Sequence, residues 1–573
     1  MTAVSCKTMI PKACYRWRSC RNGAYSRIGR IHGLQSCAPI WNFAAFTKWI
    51  GMILFLQKSR NRHNMMRSFQ LVYFSLSAFA FSYLFYELYW KRRQLPPGPT
   101  PWLFVGNLPN FLCYNSIDEM FLSWKQKYDT RTFDLGAVMT FWVGPFPLVM
   151  VSEPDAMKKY FVRNSDIFSN RWRNYVTDTF MGGVNGVVQI DGDKWREQRR
   201  FSLHVLRDFG VGRALMEHTI QLEVTKFIEY LMENSGKELD LCQVTAVCVG
   251  NIINNILFGN RFPQGSAEFH HLHSLLDEQS RLVINPIMGA YIAAPWLTTI
   301  PLVNTKWKHL LTIREQLWAY LDIQINEHKE KFDADGRPAD FTYSYMKEMH
   351  RRKIEGDHPG FFEEWQMKML LLDLFFAGME TTVTTMKWGF LMIIIHPHVQ
   401  KRIQTELDHC GGTIQLSDRN NCPYTMATLN EIQRVANILP INLLRTVAED
   451  VCIDGYFYPA GTMCIPQISI AMNDPKNFDD PETFRPERFL RDDGRTLKRY
   501  DAFMPFSIGK RQCLGESLAR AELFLIFANA LRNFNFRTTP SCPKPSTRRL
   551  LGLTVTPPHY KCLVERRLHC AKN

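Results

Sequence analysis

FSIGKRQCLGE, from Phe506 to Glu516, is the stretch that decides the fold. It places a lone cysteine, Cys513, between two glycines and directly before a long amphipathic run from Leu514 to Phe534. Backbone N–H groups and a helix N-terminus around the sulfur favour a thiolate over a thiol, and glycines let the backbone approach a flat group closely. The alternative is an ordinary buried cysteine in a loop-to-helix turn, which acts as a small hydrophobe.

The same stretch resembles the haem-binding loop of the cytochrome P-450 family, Phe-x-x-Gly-x-Arg-x-Cys-x-Gly. Every fixed position of that pattern is met, by Phe506, Gly509, Arg511, Cys513 and Gly515. The resemblance implies a haem cofactor whose iron takes the Cys513 thiolate as its axial ligand. It also implies that Arg511 reaches a haem propionate. Further segments match in the family's order, so that the resemblance covers roughly residues 90–565.

A second matching segment is Ala377-Gly378-Met379-Glu380-Thr381-Thr382, inside an apolar helical run at 363–395. It resembles the oxygen-activation segment of the family's long central helix. Glu380 and Thr381 place a carboxyl and a hydroxyl in apolar surroundings, and the resemblance implies that this pair relays protons to dioxygen. Gly378 would let the helix widen or pass close to a ligand. The alternative is a threonine that bonds only to its own helix backbone.

A third match is the pair Glu431 and Arg434, whose i, i+3 spacing puts both charges on one helix face. Surface helices often contain such a pair, so it becomes informative only together with the downstream segment 484–489, Phe-Arg-Pro-Glu-Arg-Phe. In the family, an arginine of that segment joins the Glu–Arg pair in a buried structural network. The resemblance assigns this role to Arg488, with Arg485 as the alternative.

Two further basic residues are implied to hold haem propionates. Trp195 and Arg199 have the family's WxxxR spacing, although an exposed basic helix, which would suit an acidic electron donor, is the other interpretation. Arg445 lies where the family often has His or Arg. The residue before it is Leu444, where related sequences often show Pro.

The resemblance, to the animal microsomal branch in particular, implies monooxygenation. One atom of O2 enters a C–H bond or double bond and the other leaves as water. An apolar substrate of the xenobiotic, steroid or fatty-acid class is expected, because the predicted pocket walls are apolar. Those walls are Phe375, Phe376, Ala377, Ile441, Leu443 and the segment 549–555.

Electrons are expected to come from another protein, because the chain has no GxGxxG after a strand and no Walker-type loop. The resemblance implies an NADPH-cytochrome P-450 reductase, with cytochrome b5 as a second donor. The alternatives are a haem-thiolate isomerase or dehydratase that needs no electron donor, and a non-catalytic haem sensor. The intact pair Glu380–Thr381 argues against both alternatives.

The front of the chain is predicted to be a membrane anchor at 67–90, long enough to cross a bilayer core of about 30 Å. A basic stop and a proline hinge follow at 91–99. Positive residues there favour a cytosolic face for the rest, 100–573, which is expected to be a single haem domain at the endoplasmic reticulum membrane. A buried core helix is the alternative to the anchor.

Residues 1–64 form a basic, acid-free extension, and the net charge of +15 is concentrated there. Eleven Lys and Arg precede residue 67, so that 67–573 carry only +4. The basic excess therefore predicts no nucleic-acid partner. The extension resembles a mitochondrial transit peptide, which makes the mitochondrion the alternative location. Our hypothesis is that it is a mis-annotated or alternative extension, with a start at Met65 or Met66.

Composition and periodicity predict one large, mainly α protein with a smaller β region behind the anchor. Of 573 residues 46% are hydrophobic, and the 15 cysteines include no CxxC pair, which argues against zinc ribbons and thioredoxin-type motifs. Strands are expected within 132–152 and 451–468. Helices are expected at 193–206, 214–234, 308–331, 363–395, 396–410, 425–437 and 515–532.

Overall fold

The computed structural model describes residues 62–102, 105–114, 117–129, 138–210, 214–356 and 360–567. Residues 1–61, and with them nearly all of the predicted extension 1–64, lie outside the described residues. In chain order the α-helices are α1 (Arg62–Phe85), α2 (Ile117–Asp129), α3 (Pro154–Lys158), α4 (Tyr175–Phe180), α5 (Gly192–Asp208), α6 (Ala214–Glu233), α7 (Leu241–Phe258), α8 (Ala267–Val283), α9 (Pro286–Ala293), α10 (Thr305–Glu330), α11 (Phe341–Ile354), α12 (Glu364–Ile395), α13 (Pro397–Leu407), α14 (Pro423–Ala436), α15 (Ile468–Asn473) and α16 (Glu516–Asn533).

The strands are short, and form three small sheets in the described chain. They are β1 (Val138–Val143), β2 (Phe146–Val151), β3 (Asn170–Arg171), β4 (Glu238–Leu239), β5 (Arg445–Thr446), β6 (Val451–Ile453), β7 (Tyr456–Tyr458), β8 (Met463–Pro466), β9 (Phe534–Arg537) and β10 (Cys562–Arg566). The largest sheet has the order β1-β2-β8-β5-β3, in which β2 and β8 run parallel. The others are β4-β10-β9 and the hairpin β6-β7.

The expected fold class is confirmed as mainly helical with a smaller β region. The seven predicted helices are present as α5, α6, α10, α12, α13, α14 and α16, with ends displaced by at most a few residues. Helix α7 was not predicted. It is 83% buried, so its apolar residues lie on almost all sides and leave little amphipathic periodicity to detect.

Helix α12 is the central element of the larger unit and positions the second matching segment. It spans 32 residues and is apolar around most of its circumference, as expected for a core helix. It packs against α7, α14 and α16. It ends at Ile395 because Pro397 lacks the N–H that would continue the helix. Residues 377–382 therefore lie near the middle of a helix that is packed on several sides.

The helix α2 packs on one face of the five-stranded sheet. Aromatic and Met side chains from α2, β1 and β2 form a buried cluster with apolar residues of 463–470. Within it, the rings of Phe121, Trp124 and Phe141 are in mutual contact at centroid distances of 5.5–6.0 Å. This core fixes β8, and through it β5 with Arg445.

The described chain divides into two units, 62–96 with 449–461, and 97–448 with 462–567. By length and composition α7 and α12 could cross a membrane, but both are mostly buried and serve as core helices of the larger unit. In the smaller unit, Gln70–Phe85 is a shorter apolar helix. Its exposed large side chains are Leu71, Tyr73, Phe74, Leu76, Phe79, Phe81 and Phe85. The anchor at 67–90 stays a prediction.

Candidate active site

The loop around Cys513 is shaped by two backbone constraints. Gly509 has φ +77°, and a Cβ at this position would lie 1.8 Å from the carbonyl oxygen of Phe161, so only glycine fits. The N–H of Cys513 donates to the carbonyl of Phe506 at 2.9 Å and closes the loop. Gly515 caps α16, and a Cβ there would meet no atom within 4 Å. Space for a side-chain carbon is therefore open at Gly515, whereas none exists at Gly509.

The surroundings of the Cys513 thiol oppose its ionisation. The residue is exposed on one side, yet enough protein surrounds it for desolvation to raise its pKa. The N–H of Gly515 and the charge of Arg199 lower that pKa, whereas Glu516 raises it. The backbone N–H of Gly515 and the charge of Arg199 thus act in the direction expected from the sequence, and burial acts against them. A bound metal cation deprotonates the thiol that coordinates it.

Arg511, two residues before the cysteine, is buried in a set of hydrogen bonds to protein. Its Nε donates to the carbonyl of Ser169 at 2.8 Å, and its Nη2 donates to the carbonyl of Ile190 at 2.6 Å and to Asp191 Oδ1 at 2.7 Å. The same Asp191 oxygen accepts the backbone N–H of Arg171 at 2.7 Å. Asp191 therefore ties the cysteine loop to β3.

Two more arginines adjoin Arg511. Arg445 on β5 pairs in antiparallel register with Arg171 on β3. The Nη2 of Arg445 donates to Ser507 Oγ at 3.1 Å and to the carbonyl of Ile508 at 2.9 Å, so it binds the cysteine loop. Arg171 donates through Nε and Nη1 to two backbone carbonyls, each at 3.0 Å. The three side chains form one arginine cluster, Arg171, Arg445 and Arg511.

The arginine cluster carries more positive charge than the protein compensates. Buried Arg445 Nε, Arg445 Nη1 and Arg511 Nη1 have no hydrogen-bond partner in the described chain. Desolvation, with repulsion between the arginines, lowers the pKa of Arg511 to about 8, of Arg445 to about 9 and of Arg171 to about 10. A guanidinium nevertheless stays protonated in proteins. Asp191, whose own pKa is raised by desolvation, offsets one charge at most. The cluster is therefore suited to an anionic group.

Trp195 and Arg199 lie beside this cluster on α5. Trp195 is 7% exposed, and the guanidinium of Arg511 lies 3.9 Å from its ring centroid, a cation–π contact. Arg199 lies 5.8 Å from the same centroid and donates from Nη2 to the carbonyl of Gln512 at 2.7 Å. The WxxxR spacing thus brings both side chains to the cysteine loop.

The accessible face of α12 in its middle turns carries Ala377 and Thr381. Ala377 is exposed and Thr381 is half-buried one turn further along. The Thr381 hydroxyl donates to the carbonyl of Ala377 at 2.7 Å. This is the bond to its own helix backbone that the alternative interpretation of Thr381 expects. Gly378 does not face this space. A Cβ there would lie 2.9 Å from Ile253 of α7, so Gly378 permits helix packing rather than the approach of a ligand.

Glu380 points away from Thr381. It is 5% exposed, and its Oε1 accepts the hydroxyl of Thr554 at 2.9 Å and that of Thr384 at 3.3 Å. Desolvation raises its pKa, Asp277 raises it further, and the two hydroxyls oppose this. Consecutive helix residues point about 100° apart, so the expected acid–hydroxyl pair is not joined by a direct hydrogen bond.

The Glu–Arg network is assembled as a fully buried triad. Arg434 bonds Glu431 through Nε at 2.8 Å and Nη2 at 2.9 Å, and both side chains are 0% exposed. Arg488 Nε donates to Glu431 Oε1 at 3.0 Å. Arg485 contributes only its backbone N–H, at 3.0 Å, while its side chain pairs with Asp479. Of the two alternatives, Arg488 is thus the arginine whose side chain joins the pair.

The expected pocket residues do not all face one space. Phe375 is 1% exposed, and its ring packs against Phe258 and Tyr320, at centroid distances of 6.4 and 5.9 Å. It is two residues, about 200° of helix rotation, from the accessible Ala377. Phe375 is therefore a helix-packing residue, which corrects its placement on a pocket wall. Phe376 and Leu443 are half-buried, whereas the half-buried Ile441 packs against the core of the five-stranded sheet.

A family model described as Cytochrome P450 matches residues 96–564. The chain belongs to the cytochrome P-450 family. Cytochrome P450 2B2 of Rattus norvegicus is 36% identical over 489 residues, which make up 83% of this chain and 95% of the relative. Cytochrome P450 2J2 of Homo sapiens is 34% identical over 484 residues, 83% of this chain and 92% of the relative. Probable cytochrome P450 CYP36A1 of Caenorhabditis elegans is 34% identical over 458 residues, 78% of this chain and 90% of the relative.

This P-450 is accordingly a monooxygenase whose cofactor is haem, held through a cysteine thiolate. The described residues fit that cofactor. Haem carries two propionates, and the unpartnered N–H groups of Arg445 and Arg511 are donors of the kind that carboxylates bind most strongly. Cys513 shares a loop with Arg511, and its side chain is exposed, so that the sulfur is accessible to a cofactor.

Two charged residues of the P-450 site escaped the sequence reasoning. Arg171 and Asp191 lie between β2 and α5, where no sequence pattern singled them out. The structure brings both to Arg511, over 300 residues away. An arginine next to a tryptophan, as in Asn170-Arg171-Trp172, is too common a signal to find them.

A third residue that the sequence did not reveal is Glu522 on α16. It is 1% exposed, its Oε2 accepts the hydroxyl of Thr382 at 3.1 Å, and its Oε1 has no partner in the described residues. Burial raises its pKa to about 8. The two helices of the P-450 site are therefore joined by a carboxyl that is mostly protonated at neutral pH.

Glu522→Gln should remove a pH dependence of stability. The ordinary pKa of the unfolded carboxyl is 4.5 and the folded value is about 8, so the native state binds more protons between these limits. The free energy of unfolding of the wild type should therefore fall as pH rises through this window, by up to several kcal/mol, whereas the Gln variant should not show this fall.

Thermal unfolding of the holoenzyme at pH 5, 6.5 and 8 measures this difference. Glu229→Gln, on the exposed face of α6, controls for charge removal. Parallel pH profiles for wild type and Glu522→Gln would refute the assignment.

Proposed function

We propose that this protein is a membrane-anchored haem-thiolate monooxygenase that oxidises small apolar compounds with electrons from an NADPH-dependent reductase, and that Cys513 is its iron ligand. The observation that carries the proposal is the juxtaposition of the Cys513 loop with buried arginine N–H groups that lack partners. Haem bound there supplies the activation of dioxygen.

In this proposal the side chains around the loop orient the cofactor. Arg445 and Arg511 hold the propionates through their unpartnered N–H groups, and Arg199 and Trp195 complete that side. The buried pair Glu431–Arg434 and Arg488 have a structural role, since the two arginines also bind backbone carbonyls between Met472 and Thr483. Phe506, Gly509 and Gly515 shape the backbone beside the sulfur.

The other proposed functional face is the accessible side of α12. Thr381, whose hydroxyl can still accept hydrogen bonds, orients a water or dioxygen beside Ala377. Glu380 supplies the proton, supported by the raised pKa of its buried carboxyl. Half-buried Phe376 and Leu443, together with Ala377, offer an apolar wall, which favours an apolar substrate of the xenobiotic, steroid or fatty-acid class.

The location is proposed to be the endoplasmic reticulum membrane, with the catalytic unit in the cytosol. Support comes from the apolar helix Gln70–Phe85, whose large side chains are exposed, followed by the basic run 91–93. The same membrane would hold a reductase and cytochrome b5 as electron donors.

Reconstitution tests the proposed function. The purified protein is combined with haem, NADPH-cytochrome P-450 reductase and phospholipid vesicles, and steroids, fatty acids and foreign compounds are first screened for binding-induced spectral shifts. We expect oxidation of at least one binder to require both NADPH and reductase. Equal turnover of a hydroperoxide substrate without reductase would favour a haem-thiolate isomerase instead. Haem binding without turnover of any binder would favour a sensor.

Thr381→Ala should uncouple NADPH consumption from product formation. Removing the hydroxyl takes away the group that orients proton delivery, so product per NADPH should fall about 10- to 100-fold while hydrogen peroxide rises. Both products are measured together with NADPH oxidation in the reconstituted system.

Thr385→Ala is the matched control for that variant. Thr385 also donates its hydroxyl to a carbonyl one turn back, that of Thr381, at 2.8 Å. If Thr381 only bonds its own helix, the two alanine variants will behave alike, and the proposed proton role of Thr381 is then withdrawn.

A further inference from the structure

The carboxyl of Glu380 is held asymmetrically. Both of its hydrogen bonds, from the hydroxyls of Thr554 at 2.9 Å and Thr384 at 3.3 Å, go to Oε1. In the described chain no side chain or backbone group bonds Oε2. Since the two hydroxyls donate to Oε1, a proton carried by this carboxyl belongs on Oε2.

Thr384 is one turn from Glu380 on α12, but Thr554 comes from a separate segment, Leu550–Thr556. Leu550 and Thr556 close this segment with reciprocal backbone hydrogen bonds of 2.9 and 3.1 Å. Thr554 is 3% exposed, so its hydroxyl needs a partner inside the protein, and Glu380 is the partner it has.

The backbone on both sides of Thr554 is fixed by other elements. The N–H of Leu553 donates to the Ser280 carbonyl on α8 at 2.9 Å and to its Oγ at 3.1 Å. The N–H of Val555 donates to the carbonyl of Ile438 at 2.8 Å, and its carbonyl accepts Trp388 Nε1 at 2.9 Å. The backbone beside Thr554 is therefore held from three places, by Ser280 of α8, by Ile438 and by Trp388 of α12, so that its hydroxyl is presented from a fixed position.

We propose that Thr554 is a positioning residue for Glu380, whose hydroxyl holds Oε1 as an acceptor and so leaves Oε2 to carry the proton delivered during oxygen activation. The inference rests on the proposed monooxygenase function and adds a residue to it. In each delivery the O–H bond at Oε2 breaks, the proton passes toward the oxygen substrate, and Glu380 regains a proton from solvent. The electrons come from NADPH through the reductase, so that no further reactant is needed.

A purely structural Thr554 would act differently. Its loss would weaken packing of 550–556 and lower haem content or substrate binding, but would leave the partition of electrons between product and peroxide unchanged. A positioning Thr554 controls that partition, because a misdirected Glu380 proton lets reduced oxygen escape as peroxide. The number of electrons that reach product therefore distinguishes the two roles.

Thr554→Val and Thr554→Ser are the test pair. Valine keeps the shape without the hydroxyl, and serine keeps the hydroxyl. In Thr554→Val we expect the amount of product per NADPH to fall about five- to tenfold, which is the effect of one lost hydrogen bond, while KM stays unchanged. In Thr554→Ser we expect the amount of product per NADPH to recover.

The substrate for these assays is whichever steroid, fatty acid or foreign compound the wild type oxidises. Haem content and the reduced, carbon-monoxide-bound spectrum should match the wild type. If Thr554→Val lacks haem, the variant Thr554→Ala, with its smaller side chain, is measured in the same assays instead.

Two comparisons make the result decisive. With cumene hydroperoxide as oxygen donor, which brings its own proton and needs no NADPH, Thr554→Val should equal the wild type. In a Glu380→Gln background, Thr554→Val should add no further loss of coupling. Unchanged coupling in Thr554→Val, or equal losses with NADPH and hydroperoxide, would overturn the inference while leaving the monooxygenase function intact. Absence of any reductase-dependent oxidation by the wild type would instead overturn the proposed function.

Discussion

Replacing Cys513 with serine is expected to abolish monooxygenase activity and the thiolate-type absorption band of the reduced, carbon-monoxide-bound protein. A serine hydroxyl has almost the same size as the thiol, so the loop, which is fixed by Gly509 and the hydrogen bond from the Cys513 N–H to Phe506, should keep its shape. The variant loses the strong electron donation from the thiolate sulfur to the haem iron, which promotes O–O cleavage. Activity should fall to background, measured as reductase-dependent product formation alongside the difference spectrum.

A second cysteine supplies the control for this variant. Cys542 is half-buried and lies outside the loop, so Cys542→Ser should keep the wild-type spectrum and activity. Retention of the thiolate-type band in Cys513→Ser would show that another sulfur binds the iron. In that case the entire site around the loop would have to be reassigned.

Removing the charge of Glu431 is expected to prevent formation of haem-loaded protein. Glu431 is 0% exposed and is the one carboxylate shared by two buried guanidiniums, those of Arg434 and Arg488. Glu431→Ala leaves both charges buried without their carboxylate, and only backbone carbonyls remain as partners. Breaking a buried ion pair in this way costs about 3–5 kcal/mol. That is a large share of the roughly 5–15 kcal/mol that stabilises a folded protein. Haem per protein and the soluble fraction after expression should both collapse.

Two variants show whether this loss comes from the buried network. Glu431→Gln keeps two hydrogen-bonding atoms and should retain more haem than Glu431→Ala. Glu565→Ala breaks an exposed ion pair with Arg537, at 3.1 Å, and should cost no more than about 1 kcal/mol. Normal haem incorporation by Glu431→Ala would remove the structural role from the triad.

Local patterns explain why much of the fold was predictable. The amphipathic helices α5 and α14 follow from periodicity, because an apolar stripe must be buried whatever the remainder of the chain does. The core helix α7 escaped because it is apolar on nearly every side. Two members of the buried triad, Glu431 and Arg434, could be predicted to pair for a similar local reason, because i, i+3 spacing alone brings them together on one helix face.

Assignments that depended on side-chain direction were less secure. Phe375 lies in the correct segment but packs against Phe258, and Gly378 accommodates Ile253 rather than a ligand. Which face of a helix meets which neighbour is set by tertiary packing, so the sequence around 375–381 could name the helix without orienting it.

By itself the sequence determined the family, the haem-thiolate chemistry and the cysteine loop, because these depend on residues that are contiguous or one helical turn apart. Only the tertiary structure brought Arg171, Arg445 and Asp191 to that loop and turned Glu380 toward Thr554. The physical reason is that burial, rather than sequence neighbourhood, selects the partner of a polar group. A buried guanidinium or carboxyl takes whichever donor or acceptor the fold brings within about 3 Å, even from hundreds of residues away.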